Sequence, residues 1–150
     1  MSQIQLREGA EVVPLKQVRQ LYMKVRWLHW MRPRLLKSAL ERSDFVVSAW
    51  DGKRLVGLAR VISDGCFNAY IPDVLVHPEY HRRGIGRMLL RRVIERFPHV
   101  YNLTVVAEDE EGRSFFHAVG FSDERVALRI MRPIRSVVKV QLERWTDERT

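Results

Sequence analysis

The chain has 150 residues, of which 46% are hydrophobic and 29% charged, the proportions of one ordinary globular domain over residues 1–150. Its single cysteine, Cys66, rules out an intramolecular disulfide and a two-cysteine metal pair. The net charge of +8 comes from 21 Arg and 5 Lys against 18 acidic residues. That excess suits a polyanionic partner, although arginines spread over solvated helix faces give the same total.

The segment Met1 to Glu8 lacks the apolar core of a signal peptide. No apolar run approaches the ~20 residues that cross a bilayer. A cytoplasmic protein with no membrane partner is therefore expected.

Ile4-Gln5-Leu6 alternates and opens the chain as a short strand. Pro14 suits a first helical turn, and Leu15, Val18, Leu21, Tyr22 and Val25 follow at helical spacing. Pro33, Leu35, Leu36, Ala39 and Leu40 mark a second short helix. Phe45 to Trp50 reads as a strand, Asp51-Gly52 as a tight hairpin turn, and Leu55 to Ile62 as the return strand. Ser63-Asp64-Gly65 ends it, and Ala69 to Val76 forms another strand that Pro78 stops.

After Gly84 comes the clearest helix: Ile85, Leu89, Leu90, Val93, Ile94 and Phe97 share a face, and Pro98 terminates it. Tyr101 to Ala107 predicts a strand, Glu110 to Val119 a helix closed by Gly120, and Phe121 onward a further strand. Val137 to Leu142 fits either strand or helix. The order predicts a mixed α/β layer structure with antiparallel and parallel strand pairs.

Chemistry concentrates in Val74-Leu75-Val76-His77-Pro78-Glu79-Tyr80-His81-Arg82-Arg83-Gly84-Ile85-Gly86-Arg87. A buried strand runs into a basic turn with two glycines and then a long amphipathic helix. The glycines let the backbone bend and a ligand approach. The first amides of the helix have no intrahelical partner, and with the helix dipole they attract an anion. Arg82, Arg83 and Arg87 add full charges there, so the expected ligand is a phosphate or pyrophosphate. The third glycine of a dinucleotide fingerprint and the Gly-Lys-Ser/Thr ending of a P-loop are both missing.

His81-Arg82-Arg83-Gly84-Ile85-Gly86 resembles the Arg/Gln-x-x-Gly-x-Gly/Ala signature of the GNAT acetyltransferase superfamily, with His81 at its first position. Phe115-Phe116-His117-Ala118-Val119-Gly120-Phe121 resembles that family's Phe-Tyr-x-x-x-Gly-Phe element. The resemblance covers about residues 45–131. It implies an α/β fold with a central, mostly antiparallel mixed sheet, flanked by helices. One parallel pair, here Ile71–Val76 and Leu103–Ala107, would be splayed, with acetyl-CoA between the strands. Main-chain groups of Val74, Leu75 and Val76 would pair with the pantetheine arm, and the Val74 N–H would face the acetyl carbonyl. The pyrophosphate would rest on amides from Arg82 to Arg87, which include Arg83, Gly84, Ile85 and Gly86.

The implied reaction is attack of a neutral amine on the thioester, which needs a base and an acid. The acid's usual Tyr is replaced by Phe116, which lies at the cofactor site without a proton to give, and the usual Asn by Asp109. Tyr70 and Asp73 are the catalytic candidates. In a regular strand they project to opposite faces, so at most one would meet the substrate. Each also has a structural reading, Asp73 as a hydrogen-bonded support and Tyr70 as a core aromatic.

Trp27 and Trp30, with Met31, would border the acceptor and suit an amine with an apolar body, or else pack the helices on the sheet. The five histidines show no metal spacing, so no metal is expected. The leading expectation is acetylation of a small-molecule primary amine. A protein lysine or N-terminus, or acyl-CoA binding without turnover, are the alternatives. Aromatic and basic residues do not interleave on one face, so no nucleic-acid partner is expected. A homodimer stays open.

Overall fold

The computed structural model describes residues 2–124 and 128–130. In chain order these form β1 (Ile4–Glu8), α1 (Leu15–Lys24), a 3-10 turn (Leu28–Met31), α2 (Pro33–Glu41), β2 (Phe45–Asp51), β3 (Arg54–Ser63) and β4 (Asn68–Val76). A second 3-10 turn (Pro78–Tyr80), α3 (Ile85–Arg96), β5 (Asn102–Val105) and α4 (Glu110–Val119) follow. The five strands lie in the order β1-β2-β3-β4-β5. The first three pairings are antiparallel, and β4–β5 is parallel. This is the mixed, mostly antiparallel sheet flanked by helices that the family resemblance implies.

Helices cover both faces of the central strands, which is why β2 is buried over Phe45–Trp50 rather than alternating. On one face, α3 sets Ile85, Leu89, Leu90 and Val93 against Val47, Ala59, Val61 and Ile71. Each such side chain contributes roughly 1.5–3 kcal/mol when fully buried. On the other, α1 and α2 pack Val18, Leu21, Tyr22, Leu36 and Leu40 on Val46, Trp50, Leu58 and Leu75.

Three sequence expectations need correction. First, the strand expected at Tyr101–Ala107 is shorter and runs only over Asn102–Val105. Second, no strand follows α4 at Phe121–Glu124 or at 128–130. The Phe121 amide instead closes the helix by donating to the Phe116 carbonyl at 3.0 Å. Arg113 and His117 of α4 both hold Asp123. Val137–Leu142 lies outside the described residues.

Third, β4 is not regular. Arg60 of β3 pairs with Asp73 and Ile62 with Tyr70, so one residue of β3, Val61, spans two of β4, Ile71 and Pro72. The extra residue is a β-bulge at Ile71-Pro72, where proline has no amide to give to either neighbour. A bulge shifts side-chain alternation by one. Ala69 and Ile71 therefore share the α3 face with Val74 and Val76. Tyr70, Asp73 and Leu75 then share the opposite face, on which Leu75 joins the α1 and α2 core. The separation of Tyr70 from Asp73 expected of a regular strand does not hold.

Candidate active site

The bulge also marks where β4 and β5 part. Their pairing runs from Asn68↔Asn102 to Ile71↔Val105 and stops. Val74, Leu75 and Val76 remain paired to β3 through Ala59, Leu58 and Gly57. Their other side has no strand partner among the described residues, which leaves an open main-chain edge beyond the end of β5. The splay starts one residue after Ile71, with β5 ending at Val105 rather than Ala107.

At the end of that edge the chain turns sharply. The His77 amide donates to the Val56 carbonyl at 2.8 Å, and the Tyr80 amide to the His77 carbonyl at 2.8 Å. His77 Nδ1 accepts from the Glu79 amide at 3.2 Å and caps the short turn. The Tyr80 hydroxyl donates to Asp51 at 2.6 Å, tying the turn to the β2–β3 hairpin. His81 Nε2 donates to the Val76 carbonyl at 2.9 Å.

The backbone then takes two positive φ angles, +61° at Arg82 and +78° at Gly84, before α3 begins. Alternation of this kind turns successive amides toward one concavity. In α3 the first amide with a protein acceptor is that of Met88, to Gly84 at 3.0 Å. The amides of Ile85, Gly86 and Arg87 are left for a ligand, and α3 has no side-chain cap to fill their place. Arg82, Arg83 and Arg87 are exposed around them, and none is in an ion pair with the described residues. Arg83 lies over the Tyr80 ring at 4.8 Å. An anion fits this concavity by both charge and unfilled hydrogen bonds.

Gly86 has a second reason to be glycine. A Cβ there would stand 3.0 Å from Phe115 Cζ of α4. The small residue lets α4 close against the start of α3. Phe116 is half-buried, between Phe115 at 5.4 Å and Phe121 at 5.8 Å between ring centroids. Asp109 caps α4, its Oδ1 accepting from the Gly112 amide at 2.8 Å.

On the other side of the sheet lies a polar cluster that no sequence motif assembles. Asp73 is 4% exposed. Its Oδ2 accepts from the Tyr22 hydroxyl at 2.8 Å and from Arg60 Nε at 2.5 Å. Its Oδ1 faces His29 Nε2 at 3.9 Å. Burial, followed by the nearby Asp73 charge, holds the Tyr22 phenol well above its usual pKa, so it stays a donor. Burial also lowers the His29 pKa; the Arg60 charge adds to this and Asp73 opposes it.

The His29 ring stands 4.9 Å from Tyr22 and 6.1 Å from Trp27. Trp30 is fixed one residue on, its carbonyl accepting from Arg19 Nε at 2.9 Å. Trp27 is therefore a neighbour of Asp73 through His29, whereas Trp30 packs on the α1 and α2 core. Tyr70 is 41% exposed on the same sheet face, and its hydroxyl bonds to no described residue. Three of the cluster's four members, Tyr22, His29 and Arg60, carry no local motif. The flag that was present is His29 itself, a polar residue inside Trp27-Leu28-His29-Trp30. Among the described residues, no group of three or more His, Cys, Asp and Glu is placed to hold a metal.

A sheet whose one parallel pair splays beside a positively charged helix start defines an acyl-CoA-type transferase fold. Residues 12–121 match the family model described as Acetyltransferase (GNAT) family, and the chain belongs to that family. It is 34% identical over 116 residues to the uncharacterized N-acetyltransferase ycf52 of Pyropia yezoensis, a match covering 73% of this chain and 65% of that protein. To serotonin N-acetyltransferase 2, chloroplastic, of Oryza sativa subsp. japonica it is 33% identical over 112 residues, covering 71% and 56%. The chain thus spans two thirds or less of these relatives. The solved GNAT family protein SP0256 of Streptococcus pneumoniae TIGR4 is 30% identical with a TM-score of 0.74, over 87% of this chain and all of that one.

Proposed function

We propose that the protein transfers the acetyl group of acetyl-CoA to the primary amine of a small molecule with an apolar body. The observation that carries this reading is the row of unpaired amides at Ile85, Gly86 and Arg87, ringed by Arg82, Arg83 and Arg87, at the end of the open β4 edge. The diphosphate of the co-substrate supplies the anion that this row lacks. The main chain of Val74, Leu75 and Val76 supplies unpaired edge groups for the pantetheine amides. In this reading the Val74 amide polarises the acetyl carbonyl, and Phe116 borders the thioester without donating a proton.

Trp27 and Trp30 form apolar walls for the acceptor, and aromatic faces attract ammonium groups. Tyr70 is the proposed donor to the leaving thiolate, because its hydroxyl is exposed and uncommitted. Asp73 is too deeply enclosed by Arg60 and Tyr22 to act alone on a substrate. The proteins similar to this chain in sequence include one named serotonin N-acetyltransferase 2, and serotonin is an amine with an aromatic body.

The test is acetyl-CoA binding by calorimetry, followed by thiol release across a panel of arylalkylamines, polyamines, aminoglycosides and lysine peptides. Binding with turnover of arylalkylamines supports the proposal. Turnover of peptides alone replaces the acceptor class, and binding with no turnover leaves an acyl-CoA-binding module. Absence of binding ends the reading.

A further inference from the structure

Asp73 and His29 come from elements 44 positions apart in sequence, and each presents one uncommitted atom to the other. Both hydrogen bonds to the Asp73 carboxylate fall on Oδ2, so Oδ1 accepts none from the described residues. His29 Nε2 likewise makes no hydrogen bond with them, because 3.9 Å from Oδ1 is too long for one. The only side-chain atoms among the described residues that are both buried and unbonded are His29 Nδ1 and Arg32 Nε. Asp73 Oδ1 and His29 Nε2 therefore keep a path to solvent.

A nitrogen placed about 2.9 Å from each atom completes a triangle on that 3.9 Å base. The notch takes a group that donates two hydrogen bonds and carries positive charge, and the Tyr22 and Trp27 rings beside His29 favour the same charge. We propose that the notch between His29 Nε2 and Asp73 Oδ1 seats the acceptor's ammonium and that His29 takes its proton. This deepens the acetyltransferase reading and rests on it.

The step balances without a further reactant. R–NH3+ gives one proton to His29 Nε2, and the freed lone pair forms the C–N bond to the acetyl carbon as the C–S bond breaks. The sulfur leaves with its electron pair and takes a proton from Tyr70. The second proton of the amide nitrogen passes through solvent to restore Tyr70, and His29 gives its proton to solvent. One thiol and one amide are thus produced and one proton is released. Asp73 binds the ammonium through Oδ1, and Arg60 and Tyr22 are the positioning residues: by fixing Oδ2 they hold Oδ1 on the notch. The charged and titratable groups facing the imidazole are Asp73 of β4, Arg60 of β3 and Tyr22 of α1. Burial and Arg60 together outweigh Asp73, so His29 is neutral and able to accept at pH 7.

The experiment uses His29→Gln in the full chain with 2-phenylethylamine as probe, measuring acetyl-CoA affinity and the pH profile of kcat/KM. His29 is half-exposed, so the variant keeps its fold, checked by an unchanged unfolding midpoint. The expected result is acetyl-CoA affinity within twofold of wild type and a loss of about 10²-fold or more in kcat/KM at pH 7. The acid limb set by His29 disappears, and the loss shrinks toward pH 10, where free amine is abundant. Activity within threefold of wild type, or an acid limb that persists in the variant, overturns the inference while leaving the acetyltransferase reading intact. Failure of the wild type to bind acetyl-CoA, or to acetylate the probe, removes both.

Discussion

Arg60 and Asp73 face each other across the β3–β4 ladder, and Arg60 Nε donates to Asp73 Oδ2 at 2.5 Å. Their side chains are 11% and 5% exposed, so each is the other's main compensation for lost water. The pair sits beside the splayed edge, where a charge with no partner would attract solvent into the sheet.

Removing Asp73 alone is therefore expected to be far worse than removing Asp73, Arg60 and Tyr22 together. Asp73→Asn leaves the Arg60 charge enclosed without a counter-charge and costs about 3–5 kcal/mol in denaturant unfolding. Replacing the set together, with Arg60→Met, Asp73→Leu and Tyr22→Phe, recovers most of that stability because well-packed apolar groups need no partner. Acetyl transfer stays lost in the combined variant. If the triple variant were as unstable as Asp73→Asn, packing rather than charge would be what the cluster supplies.

Gly86 and Gly84 lie two positions apart in the cradle but are glycines for different reasons. At Gly84 nothing lies within 4 Å of the position a Cβ would take, and φ is +78°, so Gly84→Ala costs about 1–2 kcal/mol through backbone strain alone. At Gly86 the obstacle is Phe115 Cζ at 3.0 Å. Gly86→Ala is expected to destabilise by about 1–3 kcal/mol, and adding Phe115→Leu to return most of it. The same second change should do nothing for Gly84→Ala. Urea unfolding of the four variants reads this difference directly.

His77 sets a pH dependence of stability. Its ring is buried, with the Glu79 amide at 3.2 Å from Nδ1 and Arg54 Nη2 at 3.1 Å from Nε2. Nδ1 accepts from the Glu79 amide, so the one proton of the neutral ring sits on Nε2 and a second, on Nδ1, would break the turn cap. Burial, then the Arg54 charge, lower its pKa below 6.5. A group held neutral in the fold contributes stability that is full above about pH 6.5 and is lost as the pH falls below it. His29 shifts in the same direction, so the comparison must isolate His77. His77→Asn keeps an acceptor for the turn cap but cannot charge. Its unfolding free energy should fall less than that of wild type between pH 7.5 and 5.5; parallel curves would assign the dependence elsewhere.

Much of the scaffold was legible because its signals are local. Pro14, Asp51-Gly52, Pro98 and Gly120 each act within a few residues, and the period of Ile85, Leu89, Leu90 and Val93 identifies α3 without reference to its neighbours. The cradle was legible for the same reason: glycines, arginines and a helix start lie within seven positions. The faces of β4 are not legible in this way, because alternation from Tyr70 to Asp73 presumes an unbroken strand and the bulge at Ile71-Pro72 reverses it. His29 and Asp73 each carried a local signal, but nothing local joined them into one notch. It exists because α1 and the turn after it fold over a strand more than 40 residues later.

The cradle makes the sharpest electrostatic prediction, because α3 carries arginines at several depths. Arg87 lies in the first turn, beside the unpaired amides, whereas Arg91 is one turn further along the same helix. Fixed charge at a helix start acts strongly only within that turn. Arg87→Glu is therefore expected to weaken acetyl-CoA binding by about tenfold or more, and Arg91→Glu by much less, although both change the net charge equally. Raising the salt concentration should narrow the gap between them, since exposed charges are screened over about 10 Å at 0.1 M. Equal losses in the two variants at low salt would mean that overall charge attracts the co-substrate and that the helix start does not hold it.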